Sequence, residues 1–233
     1  MIAGSGWDES AAAWIAEQGE EGDYGRRWVL DGPMLARVRG RGFRTALDLG
    51  CGEGRFSRML KEEGVHAIGL DPTEALLRCA QERDPAGEYR LGRAEALPFP
   101  DAAFALVVSY LTLVDIADLQ RAVIEIAPVL KPGSTFLFAN LTSFNTAGMP
   151  TGWREGAFNI DRYLEVRPFW AEWRGIRIRN WHRPLSLYMT LLLERGFELR
   201  HFAEPAPTGG DPERAERHRR VPFFHIMEWE KRA

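Results

Sequence analysis

The chain is predicted to be an α/β protein, built on a mostly parallel sheet with helices on both faces. Three observations carry this. Short apolar runs alternate with segments of helical spacing along residues 44–140. A turn with glycines at Gly50, Gly52 and Gly54 lies between the first apolar run and the first helical segment. The next apolar run ends in an acid, Asp71, seventeen residues after Gly54. Strands that alternate with helices at such spacing form parallel sheets, and right-handed crossovers then place helices on both faces.

The elements follow in order. Residues 8–18 are an alanine-rich helix with Asp8 as its cap, broken by the glycines from Gly19 to Gly25. Residues 26–38 form a second helix with Trp28, Leu35 and Val38 on its apolar side. The first strand spans about 44–49, and a helix at 53–63 closes at Gly64. The second strand, 65–70, leads into Asp71-Pro72-Thr73, which opens a helix running to about 84, with proline early in it as helix starts favour. A short third strand lies near 88–91. The fourth, Phe104 to Ser109, is continuously apolar, as a strand buried on both faces requires. Residues 115–130 show helical spacing through Ile116, Leu119, Val123, Ile126 and Ala127. Lys131-Pro132-Gly133 is a stop and turn, and Thr135 to Asn140 a fifth strand.

Residues 142–183 break this rhythm. They hold four of the eight tryptophans, and seven arginines against four acids. So long an irregular insertion points to a functional lid. A helix at 185–195, a strand from Phe197 to Phe202, an exposed mobile loop at 205–220 and a last strand from Val221 to Trp229 complete the chain. The expected organisation is an N-terminal helical cover (1–40), an α/β core (41–141), the insertion (142–183) and a C-terminal helix with closing strands (184–233).

Composition bounds the function. The 233 residues are 45% hydrophobic with a net charge of −3, ordinary for a globular protein and without the basic excess of a nucleic-acid binder. No apolar run reaches the ~18–20 residues of a membrane span, and the N-terminus lacks a basic, apolar leader, so a cytoplasmic location is expected. Two cysteines, Cys51 and Cys79, suggest neither a disulfide framework nor a zinc site, and no metal is called for.

The glycine turn is the most informative feature. Glycine lets the backbone approach a ligand where a Cβ would collide. Asp48 precedes the first glycine by two residues, and Asp71 ends the neighbouring strand, where a carboxylate can accept both hydroxyls of a ribose. With these paired acids, Asp48-Leu49-Gly50-Cys51-Gly52-Glu53-Gly54 resembles the class I S-adenosylmethionine-dependent methyltransferases, and most closely the small-molecule type of quinone biosynthesis and natural products. The resemblance covers residues 40–141 firmly and the rest loosely. It implies a Rossmann-like, seven-stranded sheet with the last strand antiparallel and S-adenosylmethionine as cofactor.

It also implies roles. Asp48, Gly50, Cys51, Gly52, Gly54, Asp71 and Pro72 would cradle the cofactor. Arg93-Ala94-Glu95, followed by Ala-Leu-Pro-Phe, stands where similar enzymes hold the adenine edge. Arg93 replaces the usual acid, cannot accept a hydrogen bond, and leaves the Ala94 amide to read the ring. Ser109 and Tyr110 follow the fourth strand. Tyr24 and Arg26 look like an entry segment that folds over the cofactor, arginine being a natural partner for its carboxylate; a solvated helix start is the alternative. His182, in the His-Arg-Pro-Leu-Ser stretch familiar from this group, is the candidate base, or else positions the helix after it. Trp153, Tyr163, Trp170 and Arg183 are candidate substrate contacts.

The expected reaction is methyl transfer to an O, N or C atom of a small molecule, by a monomer or homodimer that binds neither nucleic acid nor membrane. A cofactor-binding protein that does not methylate, and a protein or RNA methyltransferase, are the alternatives. The glycine spacing disfavours a nicotinamide oxidoreductase.

Overall fold

The computed structural model describes residues 4–149 and 152–232; Pro150 and Thr151 of the insertion lie outside the described residues. The chain runs α1 (Trp7–Gln18), a π-turn (Arg26–Leu30), α2 (Asp31–Ala36), β1 (Thr45–Leu49), α3 (Arg55–Glu62), β2 (His66–Asp71), α4 (Glu74–Arg83), β3 (Glu88–Leu91), β4 (Phe104–Tyr110), α5 (Leu119–Val129) and β5 (Leu130–Leu141). It continues through α6 (Ser143–Gly148), β6 (Trp153–Arg154), β7 (Ala157–Phe158), β8 (Arg167–Trp173), β9 (Ile176–His182), α7 (Leu185–Glu194), β10 (Phe197–Ala203), α8 (Pro212–Arg220) and β11 (Phe224–Lys231).

Seven strands form one sheet in the order β10-β11-β5-β4-β1-β2-β3. The pairs among β1 to β5 are parallel, and β11 runs antiparallel to both β5 and β10. The order reverses beside β1, since β2 lies on one side of it and β4 on the other. Such a reversal opens a crevice at the carboxyl edge.

Strand alternation splits the core into two layers. Leu47, Leu49, Val107, Phe136 and Phe138 face the cluster that includes Leu119, Val123 and Ile126 of α5 and Tyr188 and Leu192 of α7. Ala46, Leu106, Val108 and Leu137 face Val29, Leu30, Met34, Phe56 and Leu60. Asp48 shares the parity of Ala46 and so points at α3, where Ser57 lies.

Several elements differ from the sequence reading. The predicted turn at Lys131-Pro132-Gly133 is a bulge at the start of β5: Phe104 pairs with Leu130 but Leu106 with Thr135, and Gly133 takes a φ of 71° to absorb the extra residues. Residues 205–220 are not all loop. Asp211 caps α8 by accepting from the Arg214 amide at 2.8 Å, with Pro212 at the first helical position, the arrangement expected of a helix start. The insertion is also more regular than its composition suggests, since β8 and β9 form a seven-pair antiparallel hairpin. No helix is long and apolar enough to cross a membrane among the described residues.

Candidate active site

The glycine turn is shaped by three left-handed residues, Gly50, Gly52 and Gly54, with φ of 74°, 55° and 77°. The amides of Gly50 and Cys51 both donate to Leu70 O, at 2.7 and 3.1 Å, which fastens the turn to β2. A Cβ on Gly50 would overlap the Thr112 side chain, whereas one on Gly52 would meet only the Trp14 indole nitrogen, at 3.9 Å. Gly50 is therefore needed for packing and Gly52 for open space above the turn.

Two carboxyls flank that space. Asp71 Oδ2 accepts from the Gly52 amide and Oδ1 from the Thr73 amide, both at 2.9 Å. Burial nevertheless pushes its carboxyl up to about 6. Asp48 Oδ2 accepts from Ser57 Oγ at 2.6 Å, while its buried Oδ1 has no partner. Burial, with the negative field of Asp71 and Glu53, pushes Asp48 up to about 7. An unpartnered carboxylate oxygen is costly without a cation or donor, so Asp48 Oδ1 is open to a donor from a ligand.

Both acids line one cavity of about 690 Å³, within the ~300–1,000 Å³ typical of small-molecule sites. Gly50, Cys51, Gly52, Pro72, Arg93, Ala94, Glu95, Tyr110 and Arg26 also line it. Arg26 pairs with Asp23 at 2.8 Å, and its guanidinium stacks over Trp14 and Tyr110 at 4.8 and 5.5 Å. Tyr110 donates to Asp31 Oδ1 at 2.7 Å. Arg93 reaches Glu95 at 3.4 Å on an exposed edge. Burial pushes the Cys51 thiol up, which argues against a thiolate nucleophile.

Other predicted site residues fall outside the lining. Gly54 starts α3, beneath the Tyr89 ring. Ser109 is fully buried inside β4. Tyr24 donates to Gly209 O at 3.2 Å and lies under the Arg214 guanidinium. His182 is fully buried, with Nδ1 at 2.8 Å from Thr146 Oγ1 and Nε2 at 2.8 Å from Tyr163 O. Both ring nitrogens are engaged, so the structure places it as a tie between α6, β9 and the loop at Tyr163. Tyr163 packs on that histidine. Arg183 is buried and donates to the carbonyls of Leu113, Ile116 and Ala117, which sets the loop after β4. Trp170 stacks on Arg177 at 3.9 Å. Its neighbours Phe169 and Trp173, on the opposite face of β8, line the cavity instead, and Trp153 lines it as well.

Among the polar lining residues that escaped the sequence reading are Asp115, Asn180 and His218. Asp115 accepts from Asn180 Nδ2, and burial with the field of Asp71 pushes its carboxyl well above the usual range. Asn180 itself faces inward from β9. His218 lies on α8, stacked on Phe223 at 4.8 Å, and burial with nearby Arg214 pushes it down to about 4. The Asp211-Pro212 helix start was the available signal for His218.

Residues 47–138 match the family model described as a methyltransferase domain. A crystal structure of an S-adenosylmethionine dependent methyltransferase from Mesorhizobium loti superposes with a TM-score of 0.74 at 28% identity, covering 86% of this chain and 95% of that one. Residues 47–138 are thus similar to a methyltransferase domain, on a fold shared with a solved S-adenosylmethionine dependent methyltransferase. Among curated relatives, the malonyl-[acyl-carrier protein] O-methyltransferase of Serratia marcescens is 32% identical over 151 residues, which is 62% of this chain and 59% of that protein. The corresponding protein of Erwinia billingiae is 37% identical over 148 residues, 63% of this chain and 56% of that protein. The chain thus matches less than two thirds of the length of these relatives. The matched residues 47–138 include the glycine turn, Asp48, Asp71 and Asp115. The β8–β9 hairpin and α8, which close the cavity, lie outside residues 47–138.

Proposed function

We propose that this protein transfers a methyl group from S-adenosylmethionine to an O, N or C nucleophile of a small molecule. The observation that carries the reading is the pair of buried acids on either side of the glycine turn, both lining one cavity, with Asp48 Oδ1 unpartnered. The chain fits the cofactor on that ground. Asp71 would accept the ribose hydroxyls on its remaining lone pairs, and Asp48 would take the ammonium. Arg26 would face the carboxylate, and Ala94 the adenine edge. When bound, the cofactor supplies a methyl group already activated by its sulfonium.

The residues of this chain then have three tasks: to hold the acceptor in line, to exclude water and to manage any proton. Positioning alone reaches effective molarities on the order of 10⁵–10⁸ M. Trp14, Phe169 and Trp173 wall the cavity, consistent with the apolar, water-poor surroundings such a transfer needs.

Calorimetric titration with S-adenosylmethionine, S-adenosylhomocysteine and NADH tests the reading. Micromolar binding of the two sulfur nucleosides and none of NADH is expected. Failure of both nucleosides to bind would refute it.

A further inference from the structure

One cavity-facing acid has no part in the cofactor contacts above. Asp115 ends a turn closed by its own amide, which donates to Thr112 O at 2.9 Å. Thr112 is locked to the cradle, since its Oγ1 donates to Gly50 O at 3.1 Å and its side chain occupies the place of a Gly50 Cβ. From the other side, Asn180 of β9 donates to Asp115 Oδ1, and the Trp7 indole of α1 hydrogen-bonds the same carboxyl. Residue 180 belongs to the hairpin that closes the cavity, and residue 112 to the cradle. Asp115 therefore stands at the seam between them, where an acceptor must meet the methyl group.

We infer that Asp115 is a catalytic residue that takes the acceptor's proton, so that the acceptor presents an O–H or N–H nucleophile rather than an ionised carboxylate. The inference rests on the methyl-transfer reading. In the step, a lone pair of the acceptor O or N forms the new bond to the methyl carbon. The carbon–sulfur bond breaks with its electron pair kept by sulfur, leaving a neutral thioether. The proton of the O–H or N–H passes to Asp115 and later leaves to solvent. Donors from Asn180 and Trp7 fix the carboxyl's orientation, as a base must be fixed before its strength matters. The charged groups acting on it are Asp71, which opposes its ionisation, and Arg26, which favours it. Burial outweighs the arginine and makes Asp115 a stronger proton acceptor than an exposed aspartate. An acceptor carboxylate would bring no proton to this acid and would be repelled by it.

The test compares sinefungin, the cofactor analogue in which an amine-bearing carbon replaces the methylsulfonium, with S-adenosylhomocysteine, by calorimetry on the full chain. An ammonium at the methyl position facing Asp115 should bind at least about tenfold tighter than the thioether at about pH 8, from one charge-assisted contact. Asp115→Asn should abolish that preference while S-adenosylhomocysteine affinity stays within about threefold. In the wild type the preference should fade on acidification, as Asp115 takes up a proton. Asp48 and Asp71 would contact parts common to both ligands, so their titration cancels in the ratio. A preference that survives in Asp115→Asn would overturn the assignment without touching the methyl-transfer reading. Binding of neither ligand by the wild type would remove both. Radiolabelled transfer to phenol, primary-amine and carboxylic-acid probes then reads the acceptor class. Product from a phenol or amine is expected, with kcat down by on the order of 10²-fold in Asp115→Asn. Product from the carboxylic acid alone, or none from the O–H and N–H probes, would overturn the inference.

Discussion

Asp48→Asn should make the unliganded protein more stable at neutral pH and less able to bind S-adenosylmethionine. The carboxyl is 1% exposed, is pushed from 3.8 to about 7, and has one oxygen without a partner. At about 1.4 kcal/mol per pH unit, holding it ionised in the fold costs about 4 kcal/mol. The sign follows from its raised folded value. Between about 3.8 and 7 the folded state holds a proton that the unfolded chain has released, so stability falls as pH rises through that window. Asparagine keeps an oxygen for the Ser57 hydroxyl and carries no charge, so the variant lacks this contribution to the pH dependence. Integrated from about pH 5 to pH 8, its advantage over the wild type should grow by about 2–3 kcal/mol. Urea unfolding of both proteins at the two pH values measures this. A gap that does not widen with pH would refute the claim that an uncompensated buried charge sits at Asp48. The same charge predicts that binding draws Asp48 into its ionised form, so wild-type affinity should fall as pH drops below about 7, with proton release seen as buffer-dependent binding enthalpy.

Asp71→Ala should weaken S-adenosylmethionine binding by about 1–3 kcal/mol through lost charged hydrogen bonds; unchanged calorimetric affinity in a folded variant would remove Asp71 from the site. Gly50→Ala should destabilise the fold by more than about 2 kcal/mol, since the residue sits at φ 74° against Thr112; a melting temperature within a degree of wild type would show that the turn relaxes. His182→Ala should cost about 2–4 kcal/mol by stripping partners from Thr146 and Tyr163 O and opening a cavity. Its binding of S-adenosylmethionine should be retained, and a variant of wild-type stability would instead point to a role in the chemistry.

The cofactor side of the molecule was legible in the sequence because its constraints are local. A left-handed glycine, an acid two residues before it and an acid at the next strand end are fixed by the backbone path of one strand–turn–helix–strand unit. That unit brings Asp48 and Asp71 to one cavity whatever covers it. The acceptor side has no such unit. Its walls come from α1, the turn after β4, α6, β8, β9 and α8, and residues on those elements face inward or outward by register alone. Trp170 and Trp173 are equally plausible in sequence, yet the alternation of β8 turns the first onto Arg177 and the second into the cavity. His182 shares a face of β9 with Ile178 and Asn180, and only its distance along the strand carries it past the cavity into the Thr146 and Tyr163 contacts. Asp115 was hidden for the opposite reason. It lies five residues after Tyr110, the last residue of β4, in an apolar stretch where an acid reads as a helix start, and only the hairpin's return brings Asn180 to it. Local geometry thus specifies how a methyl donor is held. The walls opposite it, where Asp115, Asn180 and the aromatic residues meet, depend on long-range packing.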